Sequence, residues 1–197
     1  MAAIIALAVG LWPSPGAQFD PGKAATFIAA LAAWLYAELF TDEPRLDAHD
    51  QELAARVYAI MGDADVKFLQ DHDFGGSWLK RDLDPVYSLA HLAESVNAEF
   101  NNSKLQAKFE SLRGTVRRFA AMMAHGASPF GTGPSPDTMM FSMIPDQEHA
   151  SEEWSERTNT RVKEANDLAT ELADELATFY RLLRKRGANL LANRLDG

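Results

Sequence analysis

Between Ser103 and His125 the apolar residues Leu105, Phe109, Leu112, Val116, Phe119 and Met123 recur at strict intervals of four and three. An α-helix completes a turn in ~3.6 residues, so this spacing gathers all six on one side and leaves the rest of the surface polar. A segment built this way is stable only if the stripe is covered. The sequence supplies a matching surface: Val162, Ala165, Leu168 or Ala169, Leu172, Leu176, Phe179 and Leu183 form a second stripe, in a helix predicted to open at His149 or Ser151 and to reach Arg186. At ~1.5 Å per residue the later helix would be on the order of 55 Å long against ~35 Å for the earlier one, enough for part of it to overhang its neighbours.

Shorter helices complete the set. One begins near Asp47 or Asp50, carries Leu53, Val57, Ile60 and Met61, and ends at Gly62 in a left-handed residue. Asp63 then caps a helix bearing Val66, Phe68 and Leu69, which closes at Gly75 and Gly76. Asp84 before Pro85 signals another start, with Val86, Leu89, Leu92 or Ala93, Val96 and Phe100 at helical spacing until Asn101 and Asn102 break it. This helix and the 103–125 segment should form an antiparallel hairpin. The β-branched and aromatic clusters that would announce strands are scarce beside alanine and leucine, so a helical protein is expected. The fold class is all-α: an antiparallel helical bundle of about five to six helices with a long C-terminal helix.

Two segments depart from this pattern. Residues 126–147, "GASPFGTGPSPDTMMFSMIPDQ", hold three glycines and four prolines and are read as a long loop, either mobile or functional. "MMFSMI" is too apolar for a solvated linker and should fold back onto the bundle; the other reading is a partner-binding segment using Met139, Met140, Phe141 and Met143. Residues 1–40 form the second, an apolar N-terminal segment set before a bundle spanning 41–197. Its stretch 2–12 is ended by Pro13 and Pro15 short of the ~20 residues of a membrane span, and its first basic residue is Lys23, so a cleaved secretion signal is not expected. Residues 24–40, opened by Asp20 and Pro21, read as a helix apolar on nearly every side until Glu38. Three readings remain open for it: a core helix, a membrane hairpin or anchor using residues 2–40, and an interface with a partner chain.

Composition removes several function classes. With no cysteine, disulfides, thiolate nucleophiles and cysteine-ligated zinc or iron–sulfur sites are excluded. The default location is the cytosol or the cytosolic face of a membrane. A formal charge of −9 repels a phosphate backbone, which argues against nucleic acid as a partner. The basic cluster Arg181, Arg184, Lys185 and Arg186 reads first as favourable charge at a helix C-terminus, with a phosphate or lipid-headgroup contact as the alternative.

Two constellations carry potential chemistry. Asp71, His72 and Asp73, in "FLQDHDFGGSW", have metal-ligating side chains, but consecutive helical positions point about 100° apart and no second histidine stands three or four residues away. The structural reading has Asp71 or Asp73 bonding the turn amides, Ser77 or Asp84 capping the next helix, and Phe74 and Trp78 anchoring the loop. No metal and no other cofactor is expected. The second constellation, Arg118 and His125 in "RFAAMMAH", resembles the arginine and histidine motif of the HEPN ribonucleases, helical bundles that pair two such motifs and cut RNA without metal. That resemblance implies Arg118 stabilising the phosphorane and His125 moving protons. Against it, Phe119 lies where those proteins often have a polar residue, and the preferred reading is an exposed arginine with a histidine favoured by the helix dipole. Glycine-rich phosphate loops, GxSxG and HExxH are absent from the sequence.

The order of "FLQDHDFGGSW", "NAEFNNSKLQAKFESL" and "ANDLATELADELATFYRLLRKR" resembles a group of uncharacterised bacterial all-helical proteins with apolar N-terminal segments, over roughly residues 24–190. The resemblance implies an all-helical fold and carries no catalytic residue. The expectation is a helical interaction or accessory protein with a protein partner or a second copy of itself, with an HEPN-like ribonuclease and a membrane-anchored bundle as alternatives.

Overall fold

A computed structural model describes residues 22, 25, 26, 28–32, 46–131, 138–151, 153–188 and 190. The chain divides into two compact units, Met1–Pro44 and Arg45–Gly197. In the first, the described residues are helical, Thr26 Oγ1 donates to the Gly22 carbonyl at 2.9 Å, and Ile28 and Leu31 are exposed. Asp20, Pro21, residues 2–12 and residues 33–40 lie outside the described residues.

The second unit is a helical bundle: α1 (Ala48–Ile60), α2 (Asp63–Asp71), α3 (Lys80–Glu94), α4 (Ser103–Gly126) and α5 (Glu156–Lys185). The six apolar residues of α4's stripe are all buried, as are Val162, Ala165, Ala169, Leu172, Leu176, Phe179 and Leu183 on α5. Each large aliphatic or aromatic side chain removed from water contributes about 1.5–3 kcal/mol, so the paired stripes dominate the fold's stability. The two helices run antiparallel: Ser111 bonds Glu175, Thr115 bonds Glu171, and the Gly126 carbonyl accepts from Arg161. Helices α3 and α4 form the expected hairpin, with Arg117 at 3.5 Å from Glu94 and Arg113 donating to the Ala98 carbonyl.

Several boundaries move for identifiable reasons. Helix α1 ends at Ile60 without a left-handed glycine; Gly62 has φ −86° and instead caps α2, its amide donating to the Asp65 carboxylate. Helix α3 begins at Lys80 rather than at Asp84, because the Asp82 carboxylate accepts from the Leu79 amide, and Pro85 sits inside the helix. That helix stops at Glu94, so Val96 stands outside it and is 92% exposed while Phe100, also outside, turns back into the core. Helix α5 starts at Glu156 after a 3₁₀ turn, Asp146–Glu148, whose Glu148 accepts from the amide and hydroxyl of the cap residue Ser155. Buried positions run from Thr158 to Leu183, and α5 does not overhang.

The fold is the expected all-α bundle, with one small sheet beside its helices. Ser77–Leu79 (β1), Ser128–Pro129 (β2) and Met140–Ser142 (β3) form a small antiparallel sheet with β3 in the centre, Trp78 opposite Phe141 and Pro129 opposite Phe141 on the other side. Pro129 is tolerated because it lies on an edge strand. Strands of two or three residues leave no periodicity to read in a sequence.

A buried carboxylate ties α1 to α4. Asp50, 2% exposed, accepts from the Asn101 amide at 2.7 Å and the Asn102 amide at 3.0 Å, two donors at the start of α4 that no helical carbonyl can satisfy. Replacing Asp50 by alanine should destabilise the unit by about 2–4 kcal/mol in urea unfolding, because two amides lose a buried charged acceptor, and by clearly more than Asp47→Ala at the exposed N-cap of α1. Equal losses for the two variants would contradict this account.

Candidate functional site

The turn after α2 is built by its own side chains. Asp73 Oδ1 accepts from the Gly75 amide at 2.9 Å, which folds the chain back, and from Asn166 Nδ2 at 2.9 Å. Asn166 in turn accepts from the Phe74 amide through Oδ1 at 2.9 Å. One asparagine on α5 thus reads both polar faces of the turn and fixes it to the long helix. Gly75 lies under Trp154, so close that an added methyl would sit 3.0 Å from the indole Cη2. Among these partners, the sequence reading anticipated the bond from Asp73 to the turn amides. It missed Asn166 and Trp154, because an asparagine within a helix and a tryptophan before one carry no signal of a partner ninety residues away.

Asp71, His72 and Asp73 diverge. Asp71 pairs with Lys67 at 2.9 Å on the exposed face of α2, and Asp73 faces the turn amides and Asn166. His72 goes a third way, into aromatic rings: it stacks on Phe68 at 4.8 Å and meets the edges of Phe74 at 4.9 Å and Trp78 at 6.1 Å. Its Nε2 is buried without a hydrogen-bond partner among the described residues. Among the described residues no three histidine or carboxylate groups come together as a metal site; at 71–73 the helix ends at Asp71, and each following residue turns a different way. Ser77 is in a strand and Asp84 is inside α3, so neither caps a helix as expected.

Arg118 and His125 share α4, but each is held by another group. Arg118 Nη2 reaches Glu171 Oε1 of α5 at 2.5 Å and Thr115 Oγ1 at 3.2 Å. His125 Nδ1–H donates to the Ala121 carbonyl at 2.7 Å, a bond within its own helix. Seven positions of helix separate the two side chains by about 10 Å along the axis. The geometry leaves the arginine neutralised by a carboxylate and the pair unconverged within one copy of the chain.

The candidate interaction residues of the 126–147 segment are likewise absorbed. Met143 is 1% exposed and packs on Gly126, where a Cβ would meet its methyl at 2.7 Å. Met140 and Phe141 are half-buried in the central strand; the Met139 carbonyl accepts from the Lys80 amide at 2.9 Å, and the Met140 carbonyl from the Phe130 amide at 2.8 Å. The reading in which "MMFSMI" folds back describes the structure, and Met143 is not available to a partner.

An open surface lies elsewhere, in a groove of about 510 Å³ between α1 and the 95–101 turn. Leu53 is in its floor, Glu52 and Arg56 line the α1 side, and Val96, Glu99 and Asn101 the other. The turn is fixed to α1 by His49 Nε2–H donating to the Glu99 carbonyl at 2.8 Å and by Asn101 Nδ2 donating to Asp47 at 2.9 Å. Both bonds to Asp47 hold its carboxyl below the usual range, the Asp50 amide first and Asn101 next.

No family model, curated protein or solved structure matches the chain. Among the described residues no helix is long and apolar enough to cross a membrane.

Burial pushes the His72 imidazole below its ordinary value of 6.5, with Asp73 and Asp82 pulling the other way. The folded ring therefore binds its proton less readily than the unfolded one. That penalty is absent above pH 6.5 and grows as pH falls from 6.5 toward the folded value. The melting temperature should accordingly decline on acidification from about pH 7.5 to 5, and His72→Phe, which keeps the stacking and removes the proton site, should flatten the decline. Parallel curves for wild type and variant would refute the assignment. Asp73 behaves oppositely in range: its carboxyl is held low by the Gly75 amide and then Asn166, so its contribution is present above pH 3.8 and lost only below it.

Proposed function

We propose that this chain is a non-catalytic helical module that works through protein contacts, as an accessory or assembly component. The observation that supports this reading is how the chemically capable side chains are used. Lys67 holds Asp71, Asn166 and Gly75 hold Asp73, Glu171 holds Arg118, and the Ala121 carbonyl holds His125. A catalytic acid, base or electrophile must face a substrate from a common centre. These groups face one another's backbone and ion-pair partners instead, and they stabilise the turn and the helix pairing.

Outward-facing apolar surface fits a contact role. Val96 is 92% exposed on a rigid turn, and Tyr87 is exposed on α3. A valine in water contributes nothing to the fold and would add affinity once covered. The formal charge of −9 favours a protein partner over nucleic acid.

Replacing Val96 with the photo-crosslinker p-benzoylphenylalanine, in cells making the chain at native level, should yield discrete protein adducts on irradiation. Substitution at exposed Glu164, on α5, should not. In parallel, purified protein should leave fluorescent RNA intact in chelator, and Arg118→Ala with His125→Ala should change nothing. Cleavage that the double variant abolishes would replace this reading with the ribonuclease one. Absence of any adduct at Val96 and at Tyr87 would count against a contact role.

A further inference from the structure

We infer that the groove between α1 and the 95–101 turn is a two-fold interface joining two copies of this chain, with Arg56 of each copy pairing with Glu52 and Glu99 of the other. This rests on the contact role proposed above and names the partner.

The first observation is an unused ion pair. Glu52 and Arg56 stand four residues apart on α1 with the acid first, the spacing and order that favour pairing across one helical turn. At the same spacing Lys67 pairs with Asp71 at 2.9 Å and Lys163 with Asp167 at 2.7 Å. Glu52 and Arg56 form no such bridge, and among the described residues neither they nor the Glu99 carboxylate has an ion-pair partner within the chain. All three are exposed and line one groove.

The second is the apolar knob beside them. Val96 is 92% exposed at the groove's edge, and the floor contains Leu53. A knob and a hollow on the same surface, flanked by both signs of charge, satisfy the condition for an isologous contact: residue i of one copy meets residue j of the other, and j meets i. A patch serving a different protein has no reason to carry its own complement. In the proposed two-fold contact Arg56 of each copy meets Glu52 and Glu99 of the other, and each Val96 enters the opposite groove.

The third is rigidity. The His49 bond to the Glu99 carbonyl, the Asn101 bond to Asp47, the Asp50 bonds to the Asn101 and Asn102 amides and the Arg113 bond to the Ala98 carbonyl fix the turn before any partner arrives. Association then orders only the tips of a few side chains, which lowers its entropic cost. The long-range repulsion of two chains carrying −9 each is screened beyond ~10 Å at 0.1 M salt, so the short Arg–Glu contacts decide the outcome there.

The test uses sedimentation velocity on the full chain at near-physiological salt across the micromolar range. The wild type should form a dimer. Val96→Asp, Arg56→Glu, and the double change Glu52→Arg with Glu99→Arg should each remain monomeric, with melting curves like the wild type because all four positions are exposed. An equimolar mixture of the Arg56→Glu chain and the Glu52→Arg/Glu99→Arg chain should recover a dimer, since every cross-contact is again between opposite charges. A monomeric wild type, an Arg56→Glu variant that dimerises undiminished, or a mixture that stays monomeric would each overturn the inference. Should the wild type be monomeric while Val96 crosslinks a different protein in cells, the two-fold interface falls and the contact role stands.

Discussion

The structure depends on covering one stripe, the apolar side of α5. A helix of 30 residues and about 45 Å must bury its stripe along the whole length or gain nothing from forming. Helix α4 covers most of it, with Leu105 through Met123 facing Val162 through Leu183 in antiparallel order. Helix α2 takes a further part, fixed at one end by the Tyr180 hydroxyl donating to the Met61 carbonyl and by Arg184 at 3.2 Å from Asp63. At the other end, Asn166 holds the turn that follows α2. Everything between these two points is positioned by α5.

That dependence explains how the polar residues are spent. Each short connection must satisfy backbone donors that no regular helix or strand reaches, and the chain does so with carboxylates: Asp50 of α1 for the amides that open α4, Asp65 and Asp82 in the first turns of α2 and α3 for the amides just before them, Asp73 at the turn, Glu148 before α5. Of these, Asp50 and Asp73 also cross between elements. An acidic composition here is in part a supply of acceptors for helix starts, which the helix dipole also favours. The same commitment removes Asp73 from any metal site and leaves Arg118 compensated by Glu171.

The aromatic residues do the complementary work around the turn. Phe74 is fully buried, in edge contact with Trp78 at 5.2 Å and Phe119 at 5.4 Å, so a turn that looks reactive in sequence is anchored from below by two elements. His72 is drawn into this cluster as an aromatic ring rather than as a base. The groove beside Val96 differs in kind: the backbone there is as well tied down, yet its charged side chains face water with no ion-pair partner among the described residues.

By itself the sequence determined the helices whose periodicity is long enough to be unambiguous. The stripes of α4 and α5, the hairpin of α3 and α4, and the all-α bundle follow from apolar spacing, because covering a stripe leaves few arrangements open. Asp73 as a turn former was legible for a similar reason, since its bond to the Gly75 amide is local. Only the tertiary structure decided the rest. Pairing over long separations, such as Asn166 with the 73–74 turn or Asp50 with the start of α4, writes no pattern into either segment. The three-stranded sheet was hidden because strands so short have no period. Val96 was placed on an apolar face by spacing alone; the early end of α3 at Glu94 turned it outward, since the direction of a side chain past a helix end is set by where the chain must go next.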